Sequence, residues 1–568
     1  MRSLHLMALC GIPLALAGSG CGGCCGSCPP PPPRFKADIR ADTNRDGRVD
    51  LQRLSDTIDK TRWNETHGAI FLPNIGDTGK RCRTEYLHRN TFSDERLDDC
   101  HDASDNTQRS PEYLAPLKTV PNPDLFGSAK GTVTVPDATQ RKFAGLDLGI
   151  DARDTRRPES RDTRNPESWD GNVTVRFTIQ AGGTKSSDTV MLRVAPVLTH
   201  HHLQKVEQVL ASGEDWDPTL VNFTNALVSI TKAAGLKKDL YLFKEPSDRW
   251  VQDFVEPGYA SMPGPNGTVS IRIMIRCPGD ERQGGRQLFL DFRKAGVGAV
   301  QHLGARGTDI DAGGNIEAIP PYTFKGKTWP AGRLIVGKHG NKSHHLLSYL
   351  EAQESQKPVR LDTDWLAVGH VDEFVQFIPA NNTRGWVAVI SDPRLALEIL
   401  NDQQKAGHGS VLAISRKDHG FYVIPTITQL LWMADVKNLN EWAAQKIDRN
   451  IKILKDEVGL TDEDIVRIPA LFSETKRSEL GLSKREVRAS YPAVINNLVL
   501  TGYNTCVAPS PWGPVIDGKD VFVEEIRNTY ARVGMKIRFM DVWESHHEGN
   551  GAVHCGTNSI RDMSDEWW

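Results

Sequence analysis

Gly385-Trp386-Val387-Ala388-Val389-Ile390, then Ser391-Asp392-Pro393, then Leu395-Ala396-Leu397-Glu398-Ile399-Leu400 is the stretch that sets the fold class. A short apolar run rich in valine reads as a buried strand. Ser391 and Asp392 are N-cap residues, and Pro393 suits the first helical turn, where no backbone N–H is needed. Apolar residues then recur at helical spacing, and Gly407-His408-Gly409 supplies a stop. A strand leading straight into a capped helix is the unit of α/β architecture. The same alternation begins at about residue 196 and predicts an α/β domain over 196–568.

Upstream the period changes. Gly131-Thr132-Val133-Thr134-Val135, Val173-Thr174-Val175-Arg176-Phe177-Thr178-Ile179 and Thr189-Val190-Met191-Leu192-Arg193-Val194 alternate with period two. Such runs, punctuated by Gly, Asn and Asp, predict an antiparallel β-sandwich over residues 34–195. An eight-residue repeat, Arg153–Ser160 and Arg161–Ser168, carries charge of both signs and reads as an exposed loop. Earlier still, Asp42-Thr43-Asn44-Arg45-Asp46-Gly47 places oxygen donors at alternate positions before a turn glycine, which is calcium-loop spacing. It is not an EF-hand, because Arg53 holds the twelfth position. A solvated Asx-rich turn is the other reading.

Residues 1–33 read as a leader and spacer: Arg2, an apolar run from Leu4 to Ala17, Gly18-Ser19-Gly20-Cys21, then Pro29 to Pro33. The pattern predicts export, extracellular or as a membrane-anchored lipoprotein acylated at Cys21. In an oxidising compartment Cys82 and Cys100 could pair. The 568 residues are 39% hydrophobic and 25% charged, which excludes a disordered chain. With 69 basic against 72 acidic residues, no overall basic field draws nucleic acid.

Three segments concentrate chemistry: Arg249-Trp250-Val251-Gln252-Asp253-Phe254-Val255-Glu256, Asp364-Trp365-Leu366-Ala367-Val368-Gly369-His370-Val371-Asp372-Glu373-Phe374, and Val553-His554-Cys555-Gly556-Thr557-Asn558. If the second is extended, His370 and Asp372 lie two apart and face one pocket. Alone, each segment fits a satisfied histidine, a surface carboxylate pair or an inert thiol. Together, a cysteine, a histidine and two aspartates can displace ammonia from a guanidinium. His200-His201-His202, His344-His345 and His546-His547 lack HExxH-type metal spacing.

On these segments the chain resembles the protein-arginine deiminase family. Gly314-Asn315-Ile316-Glu317, Tyr491-Pro492-Ala493-Val494-Ile495-Asn496 and Gly513-Pro514-Val515-Ile516-Asp517-Gly518 add lesser matches. The resemblance implies an immunoglobulin-like β domain followed by a pentein α/β propeller, without the additional N-terminal β domain of longer members. It implies Cys555 as nucleophile, His370 as acid and base, and Asp253 and Asp372 as guanidinium ligands. Trp250 would pack on the substrate stem, and Arg282, with Arg276 a weaker alternative, would bind the peptide backbone. Calcium is the implied cofactor, held by Gln252, Glu256 and Glu317 with carbonyls at Gly313 and Ile316. Asp42, Asn44, Asp46, Asp99 and Asp102 resemble the ligands of further calcium sites. At the family's second catalytic calcium the acidic ligand is replaced by Phe254. His554 is left a structural role. The implied reaction is calcium-dependent conversion of peptidyl-arginine to peptidyl-citrulline, with an arginine-containing peptide or protein as partner. A pentein acting on free arginine or agmatine, and a non-catalytic calcium-stabilised surface protein, remain open.

Overall fold

The computed structural model describes residues 35–568 apart from 84–93, 95–96, 106, 124, 126–128, 138–170, 214–215, 245–247, 280–281, 304–308, 417–423, 476–480 and 482–483. The leader, Cys21, the proline spacer and the eight-residue repeat lie outside the described residues.

The first region runs to Val194. Lys130–Thr134, Asn172–Ala181 and Thr184–Val194 form an antiparallel meander, and Ala69–Phe71 joins its edge in parallel to Thr184–Val194. A two-stranded pair, Ile39–Arg40 with Lys118–Thr119, completes the strands described there. Ile39, Phe71, Val173, Val175, Val190 and Leu192 form the core between them. The alternation predicts antiparallel pairing, which the meander has, and the parallel Ala69–Phe71 strand departs from that prediction. All three of its residues are buried, as suits a parallel strand covered on both faces. Cys82 and Cys100 form a disulfide, as the exported reading allows.

The second region repeats one pattern five times: two antiparallel strands, a helical crossover, and a third strand parallel to the second. In the unit nearest the β region, Val255–Gly264 pairs with Gly267–Arg276, which pairs in parallel with Val297–Gln301. The next joins Ile316–Ile319, Arg333–His339 and Val359–Asp362. A third joins Val375–Pro379, Trp386–Asp392 and Ile465–Pro469, and a fourth joins Leu498–Leu500, Thr505–Pro509 and Lys536–Met540. The remaining unit spans the chain: the C-terminal strand Thr557–Arg561 is antiparallel to Val206–Ser212, which is parallel to Tyr241–Phe243.

The crossovers start as their sequences dictate. Asp217, Asp392 and Asp520 each accept a hydrogen bond from the backbone of the first helical turn, and proline follows the first two. The helix Pro393–Gln403 confirms the reading of Ser391-Asp392-Pro393. The two regions share a core, in which Ile70, Leu72 and Ile75 pack with Tyr259, Ile271, Ile273 and Trp567. Trp63 stacks on Trp567 at 6.1 Å, and Arg45 and Arg193 both lie over the Trp63 ring.

Candidate active site

The five units put their chemistry in one place: the segment leading into each first strand. Trp250, Gln252 and Asp253 precede Val255–Gly264, and Gly313 precedes Ile316–Ile319. His370 and Asp372 precede Val375–Pro379, Asn496 precedes Leu498–Leu500, and His554 and Cys555 precede Thr557–Arg561. Backbone bonds tie these entries together. The Gln252 N–H donates to the Cys555 carbonyl at 3.1 Å, and the His554 N–H donates to the Asn496 carbonyl at 3.1 Å.

His370 and Asp372 do not lie on an extended strand, the conformation their spacing suggests. Val371–Glu373 is a single 3-10 turn, because the Glu373 carboxylate reaches back to accept from the Gly369 and His370 N–H groups, both at 2.9 Å. The turn still brings His370 Nδ1 to 4.0 Å from Asp372 Oδ1. The other ring nitrogen, Nε2, contacts the Asp309 carbonyl at 2.7 Å and fixes the ring.

Cys555 is buried and lies 3.6 Å from Asp372 Oδ2. Asn496 grips it twice, donating from Nδ2 to Sγ at 3.2 Å and accepting the Cys555 N–H at 3.1 Å. Burial, then Asp372 and Asp253, push the thiol well above its ordinary range, while the Ala552 backbone contact and Asn496 pull it down. A thiolate here calls for a neighbouring cation. Burial also raises Asp253 to about 6, with Asp372 and Asp248 adding to it and His370 and Arg282 opposing. For His370 burial works against the imidazolium, yet Asp253, Asp372 and Glu373 outweigh it and raise the pKa.

Asp253 Oδ1, Asp372 Oδ1 and His370 Nδ1 are buried without a hydrogen-bond partner. Such atoms cost roughly 1–3 kcal/mol each, so a donor-rich ligand is strongly favoured between them. Arg282 partly answers Asp253: its guanidinium lies 3.3 Å from Asp253 Oδ2 and 3.2 Å from Asp248. Arg276, the weaker sequence candidate, faces elsewhere, held by Gln301 and Asp94. Trp250 stands edge-on to His546, and a Cβ at Gly551 would come within 2.3 Å of its ring and 3.2 Å of Cys555 Cβ. A Cβ at Gly314 would lie 2.8 Å from His370 Nδ1 and 3.0 Å from Asp372 Oδ2, so glycine keeps this wall open.

Beside the cysteine lies an acidic nest. Glu256 accepts from Gln252 Nε2 at 2.9 Å, while Gln252 Oε1 is buried without a partner. Burial and the Glu317 carboxylate push Glu256 to about 8. Two buried carboxylates and an orphaned amide oxygen are hard donors that fit calcium. Phe254, at the family's second calcium position, instead packs on Phe243 and under Gly284. In the β region Asp42 accepts from the Asp46 and Gly47 N–H groups. Asp102 is buried and accepts from the Thr78 N–H and hydroxyl, whereas Asp99 is exposed.

Sequence reasoning assigns no catalytic role to Asn496 or His554. His554 bridges the two clusters: Nδ1 is 2.8 Å from Asp372 Oδ2 and Nε2 is 3.0 Å from Glu317 Oε1. Burial disfavours its charge, but Glu317 and Asp372 outweigh that and raise it to about 10.

Residues 184–568 match the family model for protein-arginine deiminase (PAD). The chain belongs to this family. It is 33% identical over 405 residues to mouse protein-arginine deiminase type-4, covering 67% of this chain and 56% of that one. Human protein-arginine deiminase type-3 is 33% identical over 397 residues, with the same coverage of 67% and 56%. The chain thus spans little more than half the length of these relatives. Among solved structures, the substrate-bound N-terminal domain of ArgZ, a cyanobacterial arginine dihydrolase, aligns with 62% of this chain and 98% of its own at 10% identity. Its TM-score of 0.32 is too low to carry an argument.

Proposed function

We propose that this PAD-family chain hydrolyses peptidyl-arginine to peptidyl-citrulline and ammonia. The observation that carries the reading is the convergence of Cys555, Asp372, His370 and Asp253 at one end of five strand-entry segments. Orphaned acceptors there are spaced among groups that favour a guanidinium. The entry segments would surround the substrate as the blades of a pentein propeller do.

Asp253 and Asp372 hold the guanidinium nitrogens by charge-assisted bonds, and the aliphatic stem lies along Trp250. The substrate cation offsets the two carboxylates that hold the Cys555 thiol up, so binding itself favours the thiolate. Sγ attacks the central carbon, and the His370 imidazolium gives its proton to the departing ammonia. This leaves a thiouronium on Cys555. His370, now neutral, takes a proton from water as the water adds to that carbon, and the sulfur leaves to release citrulline. Gln252, Glu256, Glu317 and the Gly313 and Ile316 carbonyls would hold calcium, whose positive charge would offset the repulsion and desolvation of this acidic nest.

The test is colorimetric citrulline release from a blocked arginine peptide, with and without chelator. We expect release that chelator abolishes, and loss of at least about a thousandfold in Cys555→Ala. Activity surviving that substitution would remove the nucleophile assignment. Free arginine, run in parallel, tests the role of Arg282: equal kcat/KM for both substrates would favour the free-arginine reading. We propose further that the chain is exported through residues 1–20 and acylated at Cys21. The Cys82–Cys100 disulfide supports an oxidising compartment, and mass spectrometry of the mature N-terminus is the check. No helix among the described residues is long and apolar enough to cross a membrane.

A further inference from the structure

The histidine run 200–202 carries no function in the reading above, yet the fold sends its members to different places. His200 stacks on Tyr259 and contacts Gln204, and His201 pairs with Asp565. His202 instead enters the wall behind the active site, where its ring stands edge-on to His554. One ligand atom from each of His202, Glu317 and His554 lies within 4.8 Å of the others, and all three residues are buried.

We infer that His202, Glu317 and His554 form a site for a borderline transition-metal dication of the zinc or cobalt class, separate in donor chemistry from the oxygen nest beside it. Two imidazoles and a carboxylate are the donors such ions select, whereas calcium selects oxygen. Both imidazoles are already oriented from behind. The Phe377 carbonyl contacts His202 Nδ1 at 2.9 Å, and the Asp372 carboxylate contacts His554 Nδ1 at 2.8 Å. Each bond leaves Nε2 facing the cluster, and the second is the carboxylate–histidine–metal arrangement that fixes the tautomer. On His554 that nitrogen meets Glu317 Oε1 at 3.0 Å, so the metal takes the place of the proton between them. Ideal tetrahedral ligation needs ligand atoms about 3.3 Å apart. His554 Nε2 and Glu317 Oε1 already stand 3.0 Å apart, so the closing movement falls to His202, whose ligand atom lies within 4.8 Å of the other two. The neighbouring Arg561 guanidinium is tied to the Gln204 and Val499 carbonyls and adds no ligand.

Glu317 belongs to both sets, so the two ions compete for it. A metal on His554 would also hold Asp372 Oδ2 through the ring, away from a guanidinium. The site is thus placed to oppose deimination, a consequence that rests on the proposed function; the metal site itself does not.

The probe is Co2+ alone, titrated into the full chain under calcium-free conditions and followed by its visible absorption. The wild type is expected to give a saturable tetrahedral band that His202→Asn removes. The wild-type-minus-variant difference cancels any contribution from cysteines elsewhere in the chain. His202→Cys is expected to bind again and to add a near-ultraviolet sulfur-to-cobalt band, which places residue 202 in the coordination sphere even if His202→Asn folds poorly. Calcium should displace the band. No tetrahedral band in the wild type, an undiminished band in a folded His202→Asn, or no sulfur band in His202→Cys would each overturn the site. Failure of the deiminase reading would leave all of these optical results unchanged.

Discussion

At Asp42, Asn44 and Asp46 the side chains stand at or near the surface, and the Asp42 carboxylate is already met by two backbone N–H groups. At Gln252, Glu256 and Glu317 the side chains are buried, the Gln252 oxygen has no partner, and burial with Glu317 lifts Glu256 to about 8. Both groups offer the same donor types. In the first, Asp42 is held up by burial, to about 6, and backbone donors already close the turn. In the second, every side chain is buried and repulsion and desolvation reach further, lifting Glu256 to about 8. The calcium dependence of the reaction should therefore reside in the second, where a cation relieves the larger penalty.

Glu317→Gln is the strongest way to break this contrast. It removes one of two buried carboxylates and the partner of His554 Nε2. The calcium concentration giving half-maximal citrulline release should rise by about a hundredfold. If it moves less than severalfold, the buried nest does not set the calcium requirement.

Asn496→Ala separates the acidic nest from the thiol. It deletes the donor that lowers the Cys555 pKa and leaves the Cys555 N–H without its acceptor. A hydrogen bond to a charged group is worth about 1.5–3 kcal/mol, so kcat/KM should fall roughly 10- to 100-fold. The half-saturating calcium concentration should stay within about twofold, because Asn496 touches no calcium donor. Alkylation of Cys555 by iodoacetamide should also require higher pH, since the lost donor favoured the thiolate. An unchanged alkylation profile would reduce Asn496 to backbone support.

The pH profile tests the pocket more gently. Asp253 is raised to about 6, so its carboxylate is ionised above that pH and protonated below it. Substrate binding needs the ionised form, so kcat/KM should fall on the acid side of about pH 6, approaching tenfold per unit if this single proton governs binding. His370 is raised by Asp253, Asp372 and Glu373 against its burial, so the loss of its acid form comes at higher pH than for a free imidazole. In Asp253→Asn the acid limb should vanish along with most of the activity.

How far the site is legible in the sequence follows from where each residue gets its partner. Cys555, His370, Asp253 and Asp372 sit in dense local segments, and it is the motifs of those segments that carry the resemblance to the deiminase family and the roles it implies. The capped helix at Asp392-Pro393 is equally local. Asn496 is not legible, because its hold on Cys555 spans 59 residues and exists only when the fourth strand-entry segment meets the last. His554 looks incidental beside the cysteine, since neither of its carboxylate partners is near it in sequence. The extended reading of 370–372 fails because a third residue, Glu373, caps the turn from within. Arg276 and Arg282 are indistinguishable by residue type, and only the fold turns one inward to Asp94 and the other toward Asp253.

The smallest effect belongs to the surface loop. Asp42 is raised to about 6 by burial, with Asp46 and Asp56 adding to it and the Gly47 and Asp46 N–H groups opposing. A calcium ion would favour its charged form, but the loop is closed without one. Held at ten times its dissociation constant, calcium would stabilise the chain by about 1.4 kcal/mol, a shift of about 3–6 °C in a region of this size. Asp42→Ala should therefore erase a calcium-dependent rise of that order in Tm while leaving kcat/KM at saturating calcium within about twofold. The relevant quantity is the difference between melts with and without calcium, because the substitution also removes two hydrogen bonds whether or not the ion is present. The loop does connect to the second region, since Arg45 lies over Trp63 and Trp63 stacks on Trp567. A fall in kcat/KM beyond tenfold in Asp42→Ala would mean that this stack transmits the state of the loop to the active site, and the division between a satisfied surface turn and a demanding buried nest would have to be redrawn.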